Sequence, residues 1–167
     1  MPYSAAYWID KLGMDSHVEG GAFAEIYRSP LLQKKEDLPP AFNGDRNYAT
    51  AIYFLLQQGQ FSAFHRIASD ELWHFYAGDP IEIFEINSKG ELIKHLLGSD
   101  PEMGQSFVRI IPAGSWFASR VVAEGTYGLA GCTVSPGFDF NDFELADASA
   151  LTLEFPAHKF LIESLCR

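Results

Sequence analysis

Between Tyr48 and Val134 the chain is a run of short segments in which apolar and polar residues alternate, cut at close intervals by glycine, proline and asparagine. Tyr48 to Leu56, Phe61 to Ile67, Glu71 to Tyr76 and Ile81 to Ile86 read as the first four strands. Glu91 to Leu97, Phe107 to Ile111, Ser115 to Val122 and Thr126 to Val134 follow, and Asn87-Ser88-Lys89-Gly90 reads as a hairpin turn. A period of two sends every second side chain to the same face, so each strand has an inside and an outside. Strands this short and this regularly spaced fold most economically as an antiparallel barrel or jelly roll. The 14 Phe, 7 Tyr and 3 Trp supply its core, and 14 Gly with 9 Pro supply its turns. At 167 residues the chain is expected to be a single domain, residues 1–167, burying roughly 70% of its unfolded surface. The barrel core spans about residues 20–145 and a helical tail about 146–167.

The flanks change character. Ser4 is placed to cap a short helix running through Leu12, with Gly13 ending it. Ala22 to Arg28 alternates like a strand, whereas Ser29 to Asn47 holds three prolines without periodicity and reads as a surface loop. Asp147 is placed to cap a helix ending at Glu154, and Pro156 fits the first turn of a last helix to Leu165. The aromatic-acidic stretch Phe138 to Glu144 is expected to dock the C-terminal region.

Charge narrows the partners. With 22 acidic against 12 basic residues, a net charge of -10 repels phosphate backbones and anionic membranes, so neither nucleic acid nor a membrane is expected as partner. Cys132 and Cys166 form no CxxC pair and read as free thiols in a reducing compartment. No signal-peptide pattern and no membrane-length apolar run is visible, so a cytoplasmic protein is expected.

The segment from Gly59 to Gly78 carries Gly59, His65, Ile67, Glu71 and Gly78 at the spacing G-x5-H-x-I-x3-E-x6-G, and Pro112 and Gly114 open a second motif ending at Phe117. These residues resemble the two motifs of the cupin superfamily. Across nearly the whole chain, the stretches from Glu19 to Ser29, Ala49 to Leu56, Ser69 to Pro80 and Cys132 to Glu144 look like the "fifth cupin" family. The resemblance implies an all-β fold: a cupin double-stranded β-helix, or jelly-roll barrel, with short N- and C-terminal helices. It also implies a homodimer. The segment Ala22 to Arg28, set apart by the loop from Ser29 to Asn47, is expected either to pair with a neighbouring subunit or to cover the edge of its own sheet.

A metal-dependent cupin places three His and one Glu around an ion. This chain keeps His65 and Glu71 and has Ile67 and Phe117 at the other two positions, so no metal and no other cofactor is expected; His65 and Glu71 are the ligands of a weaker alternative. His74 lies three residues from Glu71 on one strand and should face away from it. Without a metal, the same positions describe a pocket walled by Ile67, Trp73, Phe75, Phe117 and Ser119, where Arg28 and Arg46 either bind an anionic group of a ligand or pair with the surplus carboxylates. Similarity to the metal-free rhamnose-pathway sugar-nucleotide epimerases implies a His base and a Tyr acid. His65 is then the base, Glu71 on the adjacent strand orients it, and either Tyr53 or Tyr127 donates from across the barrel. The function expected is a metal-independent isomerase or epimerase acting on a small, carbohydrate-like molecule. A non-catalytic ligand-binding cupin and a metal-dependent cupin with a reduced ligand set are the alternatives.

Overall fold

Period-two alternation decides which side chains meet between two facing sheets. In the computed structural model, which describes residues 3–167, the strands β1 (Asp15–Ser16), β2 (Ala22–Arg28), β3 (Leu32–Gln33) and β4 (Arg46–Asn47) come first. They are followed by β5 (Thr50–Gln57), β6 (Phe61–Arg66), β7 (Asp70–Gly78), β8 (Ile81–Ile86) and β9 (Leu92–Leu97). Then come β10 (Val108–Ile111), β11 (Trp116–Val121), β12 (Tyr127–Ser135) and β13 (Glu144–Leu145). The first sheet has the order β1-β2-β5-β12-β7-β10, and the second has the order β13-β6-β11-β8-β9. Every pairing within these two sheets is antiparallel.

The space between the sheets is filled from both sides. Phe54, Leu56, Trp73 and Ala130 of the first sheet meet Ile81, Ile83, Phe117 and Val121 of the second. At about 25 cal/mol per Å² of apolar surface removed from water, this interdigitated layer is the main source of stability. The outer face of the second sheet is apolar too, and the helices α2 (Ala148–Glu154) and α3 (Lys159–Ser164) cover it through Leu151 and Ile162, against Phe64, Phe84 and Trp116. The helix α1 (Ala5–Leu12) lies with Met14 over Leu55, Tyr127 and Leu129 on the outside of the first sheet. Ser4 caps α1 by accepting the Tyr7 N–H at 3.2 Å, and Gly13 closes it in the left-handed region at φ 60°.

Three expectations need correcting. The stretch read as plain loop, Ser29 to Asn47, holds the two-residue ladder β3–β4, whose short strands carry too few residues for alternation to register. The segment from Phe138 to Glu144 does not dock the C-terminal region: it crosses the barrel mouth and ends in β13, paired to β6. His65 and Glu71 are not on adjacent strands, because β6 and β7 belong to opposite sheets. Strand β2 pairs with β5 of its own chain, the second of the two outcomes foreseen for it.

Candidate functional site

One end of the barrel is open to a cavity of about 310 Å³. Its geometry begins with a turn. Gly20 sits at φ 115°, and a Cβ there would stand 2.1 Å from the Phe61 carbonyl oxygen, so only glycine lets the β1–β2 connection press against β6. The approach is fixed when the Ala63 N–H donates to the Glu19 carbonyl at 2.8 Å. It carries the Glu19 side chain into the barrel mouth, where 6% of the residue remains exposed.

There Glu19 meets three partners. Ser62 Oγ donates to Glu19 Oε1 at 2.9 Å, and Glu19 Oε2 lies 3.1 Å from His65 Nε2 and 3.6 Å from His17 Nδ1. The other nitrogen of His65, Nδ1, is 2.7 Å from the Ala63 carbonyl oxygen. A carbonyl oxygen only accepts, so Nδ1 carries the hydrogen and the Nε2 lone pair faces Glu19. Burial pushes the Glu19 carboxyl up to about 7, against smaller opposing effects of His17, Ser62 and Arg167, and burial lowers the pKa of His65. The proton of the pair therefore rests on Glu19, whose O–H donates to Nε2. His17 is the mirror case: its Nδ1 accepts the Glu19 N–H at 3.4 Å, which leaves the hydrogen on Nε2. Burial lowers its pKa as well.

Glu71 approaches from the first sheet. Burial drives its carboxyl up to about 7; the charge of His65 opposes this, and that of Glu19 adds to it. The Cys132 thiol and the Trp73 indole face it and ease its burial, although Trp73 Nε1 makes no well-formed hydrogen bond. Thr50, Ile52, Cys132 and Val134 wall the cavity on this side. Phe23, Glu25 and Arg28 of β2 and Phe138, Asp139 and Phe140 of the crossing segment form its rim. The segment is anchored by Arg46, whose Nε and Nη2 each reach Asp142 at 2.5 Å with both side chains about 5% exposed or less. The Phe138 N–H adds a bond to Thr50 Oγ1 at 2.9 Å.

Of the residues expected at the site, His65, Glu71, Ile67 and Arg28 line the cavity. Trp73, Phe117 and Ser119 belong to the core beneath it, and Phe75 packs against that core. Phe117 still touches the site, its ring centroid 4.1 Å from that of His65. Arg46 takes the second of the two roles foreseen for it: it pairs with Asp142 and is no ligand contact. Tyr53 and Tyr127 are not across the barrel. The inward side chains of β5 are Thr50, Ile52, Phe54 and Leu56, so Tyr53 points outward to Tyr76 at 5.9 Å. On β12 the inward positions include Ala130, Cys132 and Val134, and Tyr127 lies outside under α1, accepting the Trp8 Nε1–H at 3.0 Å. Nor does Glu71 orient His65: Glu19 and the Ala63 carbonyl do.

The residues do not fit a metal ion. Both ring nitrogens of His65 are engaged, Ile67 and Phe117 offer no donor, and His74 faces outward to Thr133 Oγ1 at 3.2 Å. Among the described residues no three His, Cys, Asp or Glu are placed to share one ion.

Missing from the sequence reading were Glu19, His17 and the rim residues Phe138 and Phe140. His17, His95 and His158 carry no motif that marks them, yet all three are half-buried and bonded: His17 to the Glu19 N–H, His95 to Glu85, His158 to the Gly90 carbonyl. The signal for Glu19 was the Gly-Gly pair after it, which marks a close backbone approach.

Comparison with known proteins places this geometry in a family. Residues 6–146 match the model described as Cupin superfamily (DUF985). A hypothetical protein from Leishmania major is 32% identical with a TM-score of 0.90, covering 98% of this chain and 99% of its own. A protein from Shewanella oneidensis is 38% identical with a TM-score of 0.87, covering 99% and 98%. Oxalate decarboxylase from Bacillus subtilis shares the fold alone, at 15% identity and a TM-score of 0.54 over 90% of this chain and 36% of that one. Comparison with curated proteins gives no match. No helix among the described residues is long and apolar enough to cross a membrane. The chain belongs to the cupin superfamily, in the family DUF985.

Proposed function

We propose that this protein is a metal-independent cupin that moves a proton at the carbon next to the carbonyl of a small carbohydrate-like molecule, as an isomerase or epimerase does. The observation that carries the reading is the meeting of two buried carboxyls, Glu19 and Glu71, around His65 at the wall of one open cavity. A general base works best when its pKa lies near the working pH, and Glu71 at about 7 meets that condition. Glu71 takes the proton from carbon and returns it to the neighbouring carbon on the same face, while the hydroxyl proton there passes to the carbonyl oxygen, so no co-reactant is consumed. His17, neutral and with its hydrogen on Nε2, is the donor for the carbonyl oxygen as charge develops there. The Glu19–His65 pair stays uncharged overall and keeps the cavity from gathering a second negative charge beside Glu71.

The test is solvent exchange. Aldoses and ketoses are incubated with the protein in deuterium oxide, and loss of the proton signal next to the carbonyl is followed by NMR. At least one sugar should exchange with the wild type and not with Glu71→Gln. Exchange that survives Glu71→Gln overturns the role of Glu71. A sugar that raises the melting temperature without exchanging makes the protein a binding module instead.

A further inference from the structure

Arg28 is the one cation among the described residues lining the cavity, and it is already spoken for. Its Nε and Nη2 hold both oxygens of Glu25 at 3.0 and 2.7 Å, and Nη1 donates to Asn47 Oδ1 at 2.9 Å and the Phe138 carbonyl at 3.2 Å. All three guanidinium nitrogens are thus engaged, in a fork geometry that a phosphate or carboxylate would otherwise take. With Glu25 spent on Arg28 and Glu19 holding its proton against His65, Glu71 and Asp139 remain in the lining as carboxyls that no cation neutralises. Arg46, the other arginine near the mouth, is held by Asp142 and takes no part in the lining. Like charges brought together without a partner cost affinity, so an anion entering this cavity meets repulsion and no receptor. The rings of Phe23, Phe138 and Phe140 offer the rim apolar faces of the kind that pack on the C–H face of a sugar. About 310 Å³ is the share of roughly ten water molecules in the liquid, the scale of one monosaccharide.

We infer that the cavity takes an uncharged, hydroxyl-rich molecule of monosaccharide size and turns away the phosphorylated and carboxylated forms of the same molecule. The inference rests on this cavity being the ligand site proposed above, and it narrows the substrate class away from nucleotide-linked and phosphorylated sugars. It also makes Glu25 a specificity residue: by occupying Arg28 it removes the anion receptor that the sequence would otherwise supply.

Binding and exchange separate the two proposals. The full chain at neutral pH is titrated with aldopentoses, aldohexoses and ketohexoses, with the hexose 6-phosphates, and with the corresponding uronates, by melting temperature and by saturation-transfer NMR. At least one neutral sugar is expected to bind, with its phosphate and uronate at least about tenfold weaker. Glu25→Gln frees Arg28 and should bring the phosphate or uronate to within about threefold of the neutral sugar. Phosphates or uronates that bind the wild type as tightly as the neutral sugars overturn the inference, as does a panel in which no neutral sugar binds. A Glu25→Gln variant that melts normally and gains no anion binding overturns the role given to Glu25. A neutral sugar that binds without exchanging its proton sinks the proton-transfer reading and leaves the charge selectivity standing.

Discussion

Two histidine–carboxylate pairs sit in this barrel and are built almost alike. In one, His65 Nε2 meets Glu19 Oε2 at 3.1 Å while Ser62 Oγ donates to Glu19 Oε1 at 2.9 Å. In the other, His95 Nε2 meets Glu85 Oε2 at 2.8 Å while Ser115 Oγ donates to Glu85 Oε1 at 2.9 Å. The motif is the same and the surroundings are not. The Glu85 pair joins neighbouring strands, β8 and β9, of the second sheet, and its histidine side chain keeps 16% of its exposure. The Glu19 pair joins a turn to a strand, lines a cavity, and faces a second buried carboxyl, Glu71. A hydrogen-bonded histidine is therefore no sign of chemistry by itself. What marks the first pair is the space beside it and the second titratable group across that space.

The comparison can be sharpened first through the roof. The cavity pair is covered by the segment that Asp142 ties to Arg46, and the Glu85 pair needs no such tie. Removing one member of a buried ion pair leaves the other uncompensated, so Asp142→Ala should cost about 3–5 kcal/mol in denaturant unfolding. Ligand binding should weaken with it. A loss below about 1 kcal/mol would mean that the segment is held mainly by β13 and its backbone bonds.

The pH dependence comes next. The Glu71 carboxyl rises from 4.5 to about 7 on folding, so the folded chain holds a proton that the unfolded chain has released between those values. Stability from this group is present below about pH 4.5 and falls as pH climbs to about 7, by up to about 3 kcal/mol. Glu71→Gln stays neutral throughout. It should match the wild type near about pH 4 and become the more stable of the two by about pH 8, as read from paired melting curves. A constant difference across that range would contradict the shift.

How much of this could be read beforehand follows from where each residue sits. Alternation is a local signal, so the long strands β5 to β8, and the inward facing of His65, Ile67, Glu71 and Trp73, were legible in the sequence. The pairing of strands is not local, which is why His65 and Glu71 were set side by side when they face each other from opposite sheets. Tyr53 and Tyr127 show the limit of residue type as a guide: one step in register puts a good acid outside the barrel. Glu19 lies in a turn 46 positions from His65, where no period exists to place it. Only the tight contact at Gly20 reveals that the turn enters the site.

The exchange reaction provides a smaller but more specific contrast. Glu71→Gln should lower deuterium incorporation at least about 10²-fold, the usual worth of a positioned general base. Glu85→Gln, away from the cavity, should leave it within about twofold. Equal losses in the two variants would erase the distinction between the pairs. The smallest effect is expected at His95→Gln, about 1 kcal/mol or less of stability, since its hydrogen bond to Glu85 is partly open to water.

The claim on which all of this turns is that the cavity carboxyls still hold protons near neutrality. Carbon-13 labelling of the glutamate side chains lets each carboxyl be followed through a pH titration, with Glu19→Gln and Glu71→Gln assigning the two signals. Glu19 and Glu71 should both titrate near pH 7. If Glu19 and Glu71 both lose their protons below about pH 5, the cavity holds two ordinary carboxylates and the proton-transfer site does not exist.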